Sequence, residues 1–137
     1  MLRAALAEMA ARGLEVEAAS ALVRSRPIGP SQRDYANGAA VVWASLEPPA
    51  LLCLLQDIEQ DFGRRRQGQR WRARTLDLDL ILWSGGCWAD AELVIPHRAF
   101  RGRSFVLDPA VRIARDWRDP LTGLSLAHLR HRLGKRK

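Results

Sequence analysis

Apolar residues recur at helical spacing at both the start and the middle of the chain, and the segments between them alternate or break. Residues 1–11 are Ala-rich, with Leu2, Leu6 and Met9 at helical spacing and Gly13 placed as a C-terminal cap. Residues 14–24 alternate loosely through Val16, Ala18 and Leu22 and read as a strand. Pro27, Gly29 and Pro30 then mark a loop. Residues 35–46, with Val41, Val42 and Trp43, read as a second strand. The long connection makes the two strands a wide hairpin. Pro48 and Pro49 suit a first helical turn. From 50 to 62, Leu51, Leu52, Leu54, Leu55, Ile58 and Phe62 form a broad apolar stripe, which Gln56, Glu59 and Gln60 avoid. Gly63 is expected to end that helix. A strand is expected at Arg74-Thr75-Leu76-Asp77-Leu78-Asp79-Leu80-Ile81-Leu82-Trp83, followed by a turn at Ser84-Gly85-Gly86. A short edge strand over 92–95 and short helices over 109–114 and 124–132 complete the pattern.

The order helix, strand, strand, helix, strand is a β-α-β-β-α-β pattern without its first strand. The expected class is α+β, with an antiparallel sheet covered by helices on one face. A length of 137 residues predicts one domain, and 47% hydrophobic content fits a globular core. Cys53 and Cys87 lack metal spacing, and Cys53 is expected in the core. No apolar run is long enough for a bilayer, and the first residues carry no signal-peptide pattern, so a cytoplasmic location is the default expectation.

Charge and chemistry sharpen this picture. Asp77 and Asp79 are two residues apart, which on a strand puts both on one face roughly 7 Å apart. Two unpaired carboxylates on a buried strand would be costly, and oxygen ligands suit a hard ion such as Mg²⁺. Just upstream runs Arg64-Arg65-Arg66-Gln67-Gly68-Gln69-Arg70-Trp71-Arg72-Ala73-Arg74, a natural phosphate site. The net charge is +7, and Lys135 and Lys137 are the only lysines, a bias that favours planar bidentate anion contacts. Other readings stay open on spacing alone. The aspartates could line the wet face of a half-solvated strand, and the arginines could be a solvated loop or a nucleic-acid patch. Their adjacency favours a nucleotide-dependent enzyme.

Several motifs together resemble the 6-hydroxymethyl-7,8-dihydropterin pyrophosphokinase family. They are Arg26-Pro27-Ile28-Gly29-Pro30, then Asp34-Tyr35-Ala36-Asn37, then Arg74-Thr75-Leu76-Asp77-Leu78-Asp79, then Pro96-His97, and finally Arg103-Ser104-Phe105-Val106-Leu107. The resemblance implies a ferredoxin-like core and one domain over 1–137, truncated at its N-terminus before a first strand with a Gly-Ser-Asn turn. It implies transfer of the β,γ-diphosphate of ATP to the pterin hydroxymethyl group, with release of AMP, in folate biosynthesis. By resemblance Asp77 and Asp79 hold two Mg²⁺ ions, and Arg64, Arg66 and Arg74 are the catalytic phosphate contacts. Nucleotide contacts carry over to Gln56, Glu59, Arg70, Leu78, Leu80, His97, Arg98 and Arg103, and Trp71 joins the closing lid. Pterin contacts carry over to Ser25, Arg26, Ile28, Tyr35, Asn37 and Phe105. Arg98 stands where the family often has an aromatic residue, and Arg26 where it usually has proline. The implied partners are ATP and the pterin, with no nucleic acid and no membrane, acting on a monomer.

Two further readings compete. A nucleic-acid module could use the arginine loop, Trp71 and the basic tail over 130–137. Asp77 and Asp79 speak against it, because they would repel a phosphate backbone unless a metal intervenes. A degraded homologue, marginally stable without its first strand, is the other expectation.

Overall fold

The computed structural model of the chain describes residues 2–25, 35–65 and 76–135. Helix α1 (Leu2–Ala11) forms where alanines and unbranched residues minimise the entropic cost of a helix. It buries Ala5 and Met9, four residues apart on one face. Its end is a Schellman motif. Leu14 N–H reaches Met9 O at 3.0 Å and Gly13 N–H reaches Ala10 O at 3.1 Å, with Gly13 at φ 95°. Leu14 and Met9 then pack in the same core cluster, the apolar contact that accompanies this cap.

The wide hairpin is present, but each arm is broken in two. β1 (Glu15–Ala19) pairs antiparallel with β4 (Ala40–Trp43), with a register shift between Val16 and Ala18. β2 (Val23–Ser25) pairs antiparallel with β3 (Tyr35–Asn37). Ser20 staples the break between them. Its N–H donates to Ala39 O at 2.8 Å, and its Oγ accepts from Ala39 N–H at 2.9 Å. The polar side chain thus substitutes for the interrupted ladder.

Helix α2 (Pro48–Arg65) opens on its proline pair and buries Leu55, Ile58 and Phe62. Two expectations are corrected here. Gly63 does not end the helix, which continues to Arg65, because Gly63 keeps a negative φ and makes no left-handed cap. Cys53 is exposed rather than in the core, because five residues of helix turn it well away from Ile58. Arg12 ties α1 to α2 through ion pairs with Glu8 and Asp61.

The expected aspartate strand is also corrected. Residues 76–82 are extended but join no ladder among the described residues; only Trp83 bridges, to Gly86 across the Ser84-Gly85 turn. Side chains hold the segment instead. Leu76, Leu78 and Leu80 pack on the first core, formed by α1, α2 and Leu14, while Ile81 and Leu82 pack on a second core. The segment therefore joins the two. β5 (Trp88–Ala89) and β6 (Val94–Ile95) form a small antiparallel pair, so the edge strand is present but shorter than expected.

After a 3₁₀ turn at Phe100–Gly102 comes α3 (Ser104–Ala114). It starts five residues before Pro109, which lies inside it, so the helix expected over 109–114 is only its second half. Pro109 cannot donate to the Phe105 carbonyl, and its full burial offsets that loss. α4 (Leu126–Lys135) begins and ends later than expected. Phe100, Leu107, Leu126 and Leu129 fill the second core, and Arg130 of α4 pairs with Asp108 of α3. The α+β class holds, with the strands among the described residues distributed over three two-stranded sheets.

Candidate functional site

The alternation of residues 76–80 produces the site's main feature. Leu76 is buried, Leu78 and Leu80 are half-buried against the core, and Asp77 and Asp79 are exposed on the opposite face. The burial of three leucines thus fixes the direction of two carboxylates. Glu59 comes to the same segment from α2, and its Oε2 accepts the Leu78 N–H at 2.6 Å. Burial pushes the Glu59 carboxyl above its usual range. The Leu78 N–H opposes that shift, and the negative charges of Asp77 and Asp79 add to it. Three carboxylates therefore feel one another here. Gln56, one turn earlier on α2, is exposed.

His97 joins from the other side. Its N–H donates to Ile81 O at 3.0 Å, which docks the residue beside the aspartate segment. Its Nδ1 accepts the Ala99 N–H at 3.1 Å, so the neutral ring carries its proton on Nε2. Arg98 is exposed, and Arg103 sits at the N-cap of α3 without a side-chain capping bond. The Arg103 guanidinium lies 5.5 Å from the centroid of the Phe105 ring, a cation–π distance. Phe105 is 40% exposed in the first turn of α3. That helix packs against β2 and β3, which brings Phe105's element to those of Ser25, Tyr35 and Asn37. Asn37 is half-buried opposite Val23.

The described residues thus bring together Glu59, Asp77, Asp79 and His97 along one segment, and Asn37, Arg103 and Phe105 around α3. Arg26, Ile28, Arg66, Arg70, Trp71 and Arg74 lie outside the described residues, as do the side chains of Ser25, Tyr35 and Arg64. The reading from sequence missed Asp119. Asp119 is fully buried and binds the Arg101 guanidinium through Nε at 2.5 Å and Nη2 at 2.8 Å. Asp119-Pro120 with Gly123 signals a turn, but nothing in the sequence ties it to an arginine 18 residues away.

The donor set fits a hard divalent cation. Among the described residues no group of three or more His, Cys, Asp or Glu side chains is gathered as a complete ligand cluster. Mg²⁺ needs none, since it keeps water and takes phosphate oxygens beside one or two carboxylates. Asp77 and Asp79 meet that requirement.

An α+β chain with a two-carboxylate face beside a histidine and arginines has the makeup of a site for a metal-bound anion. The model of the 7,8-dihydro-6-hydroxymethylpterin-pyrophosphokinase family matches residues 1–115, and the chain belongs to that family. It is 47% identical over 129 residues to a 2-amino-4-hydroxy-6-hydroxymethyldihydropteridine pyrophosphokinase of Synechocystis sp., covering 93% of the chain and 66% of that relative. Proteins of the same name from Methylorubrum extorquens and Haemophilus influenzae are 39% identical over 118 residues and 42% identical over 98 residues. Those matches cover 85% of the chain and 74% of the first relative, and 71% and 61% for the second. The chain spans about two thirds of the length of these curated relatives. Among the described residues no helix is long and apolar enough to cross a membrane.

Proposed function

We propose that the chain transfers the β,γ-diphosphate of ATP to the hydroxymethyl oxygen of 6-hydroxymethyl-7,8-dihydropterin and releases AMP, a transferase step in folate biosynthesis. One observation carries the reading: Asp77 and Asp79 share an exposed face directly beside Glu59, in a chain whose relatives bear this enzyme's name. The same reading takes 1–137 as one domain, monomeric, with a ferredoxin-like core.

Asp77 and Asp79 would hold two Mg²⁺ ions. When bound, Mg²⁺ neutralises charge along the triphosphate. Arg98 and Arg103 supply guanidinium donors for phosphate oxygens, joined by Arg64, Arg66, Arg70 and Arg74. His97, with its proton on Nε2, offers one further donor. Gln56 and Glu59 face the nucleoside, and Trp71 covers it. The exposed ring of Phe105 offers a stacking face for the flat pterin, and Asn37 offers an amide that matches its donor–acceptor edge. Tyr35, Ser25, Arg26 and Ile28 complete that side. Little covalent chemistry falls to the protein, so positioning and electrostatics dominate.

The test is product identity. With ATP, Mg²⁺ and the hydroxymethylpterin, the expected products are AMP and the pterin diphosphate ester. ADP with a pterin monophosphate, or no pterin-dependent ATP consumption, would overturn the reading.

A further inference from the structure

Arg101 stands between Arg98 and Arg103 in the chain, and its guanidinium pairs with Asp119. Asp119 is a fully buried carboxylate with every oxygen occupied. Oδ2 accepts from Arg101 Nε and from the Thr122 hydroxyl at 2.8 Å; Oδ1 accepts from Arg101 Nη2 and the Leu121 N–H at 3.0 Å. Burying a carboxylate is tolerated when a bidentate partner and further donors meet it. Its backbone is fixed as well, with the Asp119 N–H on Leu124 O at 2.9 Å and the Gly123 N–H on Asp119 O at 2.8 Å. The α3–α4 connection is therefore a rigid mount.

Arg101 needs such a mount. It belongs to the Phe100–Gly102 turn, which separates His97 from Arg103. The turn's own backbone hydrogen bonds are long: Phe100 N–H to His97 O at 3.5 Å, Gly102 N–H to Ala99 O at 3.3 Å and Arg103 N–H to Phe100 O at 3.2 Å. Such 3₁₀ geometry is weak on its own. The bidentate pair at 2.5 and 2.8 Å is much the tighter tie. Arg101 also lies 4.7 Å from the centroid of Phe100, whose ring is completely buried in the second core.

We infer that Asp119 is a positioning residue for the nucleotide site: by clamping Arg101 it fixes the Phe100–Gly102 turn, and so the placement of Arg103, which contacts the ligand. This inference rests on the functional reading above. A merely structural role would cost stability and leave the affinity of the folded fraction unchanged.

Calorimetry of the full chain with a non-hydrolysable ATP analogue and Mg²⁺ separates the two roles, because stoichiometry reports the competent fraction and Kd reports the site. Asp119→Asn is expected to weaken Kd about tenfold, as is Arg101→Gln, which leaves Asp119 its Leu121 and Thr122 donors. If Asp119→Asn yields no folded protein, Arg101→Gln decides alone. In the Arg103→Ala background, Asp119→Asn should weaken binding no further, since its effect passes through Arg103. Lower stoichiometry with Kd within about twofold of wild type, or full additivity with Arg103→Ala, would overturn the positioning role. A wild-type chain that binds no nucleotide would overturn the functional reading as well.

Discussion

Glu59 Oε2 accepts the backbone N–H of Leu78 at 2.6 Å, and Leu78 is the residue between the two aspartates of the site. A helix side chain thus substitutes for the neighbouring strand that residues 76–80 lack among the described residues. The bond fixes the peptide at the centre of the carboxylate face. It also brings a third carboxylate close to the other two, an arrangement that a bound cation would favour.

Glu59→Ala and Glu59→Gln should therefore differ. Alanine leaves the Leu78 N–H without its acceptor, with an expected cost of about 1–2 kcal/mol. Glutamine keeps an acceptor oxygen and removes the repulsion with Asp77 and Asp79, so its stability should stay within about 0.5 kcal/mol of wild type. Chemical denaturation of both variants checks this. Equal losses would mean that the bond does not hold the segment.

The Asp119–Arg101 pair sets an acid limit. Hydrogen bonds from Arg101 hold the Asp119 carboxyl at about 2, below its usual 3.8. Its folded value is depressed, so its stabilisation is present above 3.8 and is lost as pH falls from there toward 2. The full shift corresponds to about 2 kcal/mol, lowered toward about 1 kcal/mol by the water that reaches Arg101. The unfolding free energies of wild type and Asp119→Asn should converge by that amount over the window. A constant difference would contradict the assignment.

Elements with a local signal were legible in the sequence. Gly13 after an Ala-rich run marked the end of α1, and the stripe Leu51, Leu55, Ile58 and Phe62 marked α2. Alternation placed Asp77 and Asp79 on one face opposite Leu76, Leu78 and Leu80, because that needs only an extended backbone. What depends on distant partners was not legible. Whether 76–82 joins a ladder is decided by its neighbours. Pro109 suggested a helix start, but its full burial inside α3 outweighs the missing donor. Gly63 looked like a stop, yet without a positive φ it is an ordinary helical residue. In the site, the Leu78 N–H on Glu59 and the pairing of Asp119 with Arg101 join residues 19 and 18 apart, beyond any local pattern.

Gly13→Ala isolates a backbone effect. A Cβ there would meet no atom within 4 Å, so the cost comes from φ 95° alone. The expected loss is about 1 kcal/mol, and Gly13→Asn should lose less. Thermal unfolding of both variants reads it, and an alanine variant as stable as wild type would show that α1 ends differently in solution.

Every role proposed for the site depends on Asp77 and Asp79 holding the cation through which the nucleotide would bind. The most direct test of this is calorimetry of a non-hydrolysable ATP analogue with and without Mg²⁺, on wild type, Asp77→Asn and Asp79→Asn. Wild type is expected to bind at least about tenfold more tightly with Mg²⁺, and either substitution is expected to remove that gain while leaving the melting temperature in place. Equal nucleotide affinity with and without Mg²⁺ in all three proteins would contradict the cation assignment.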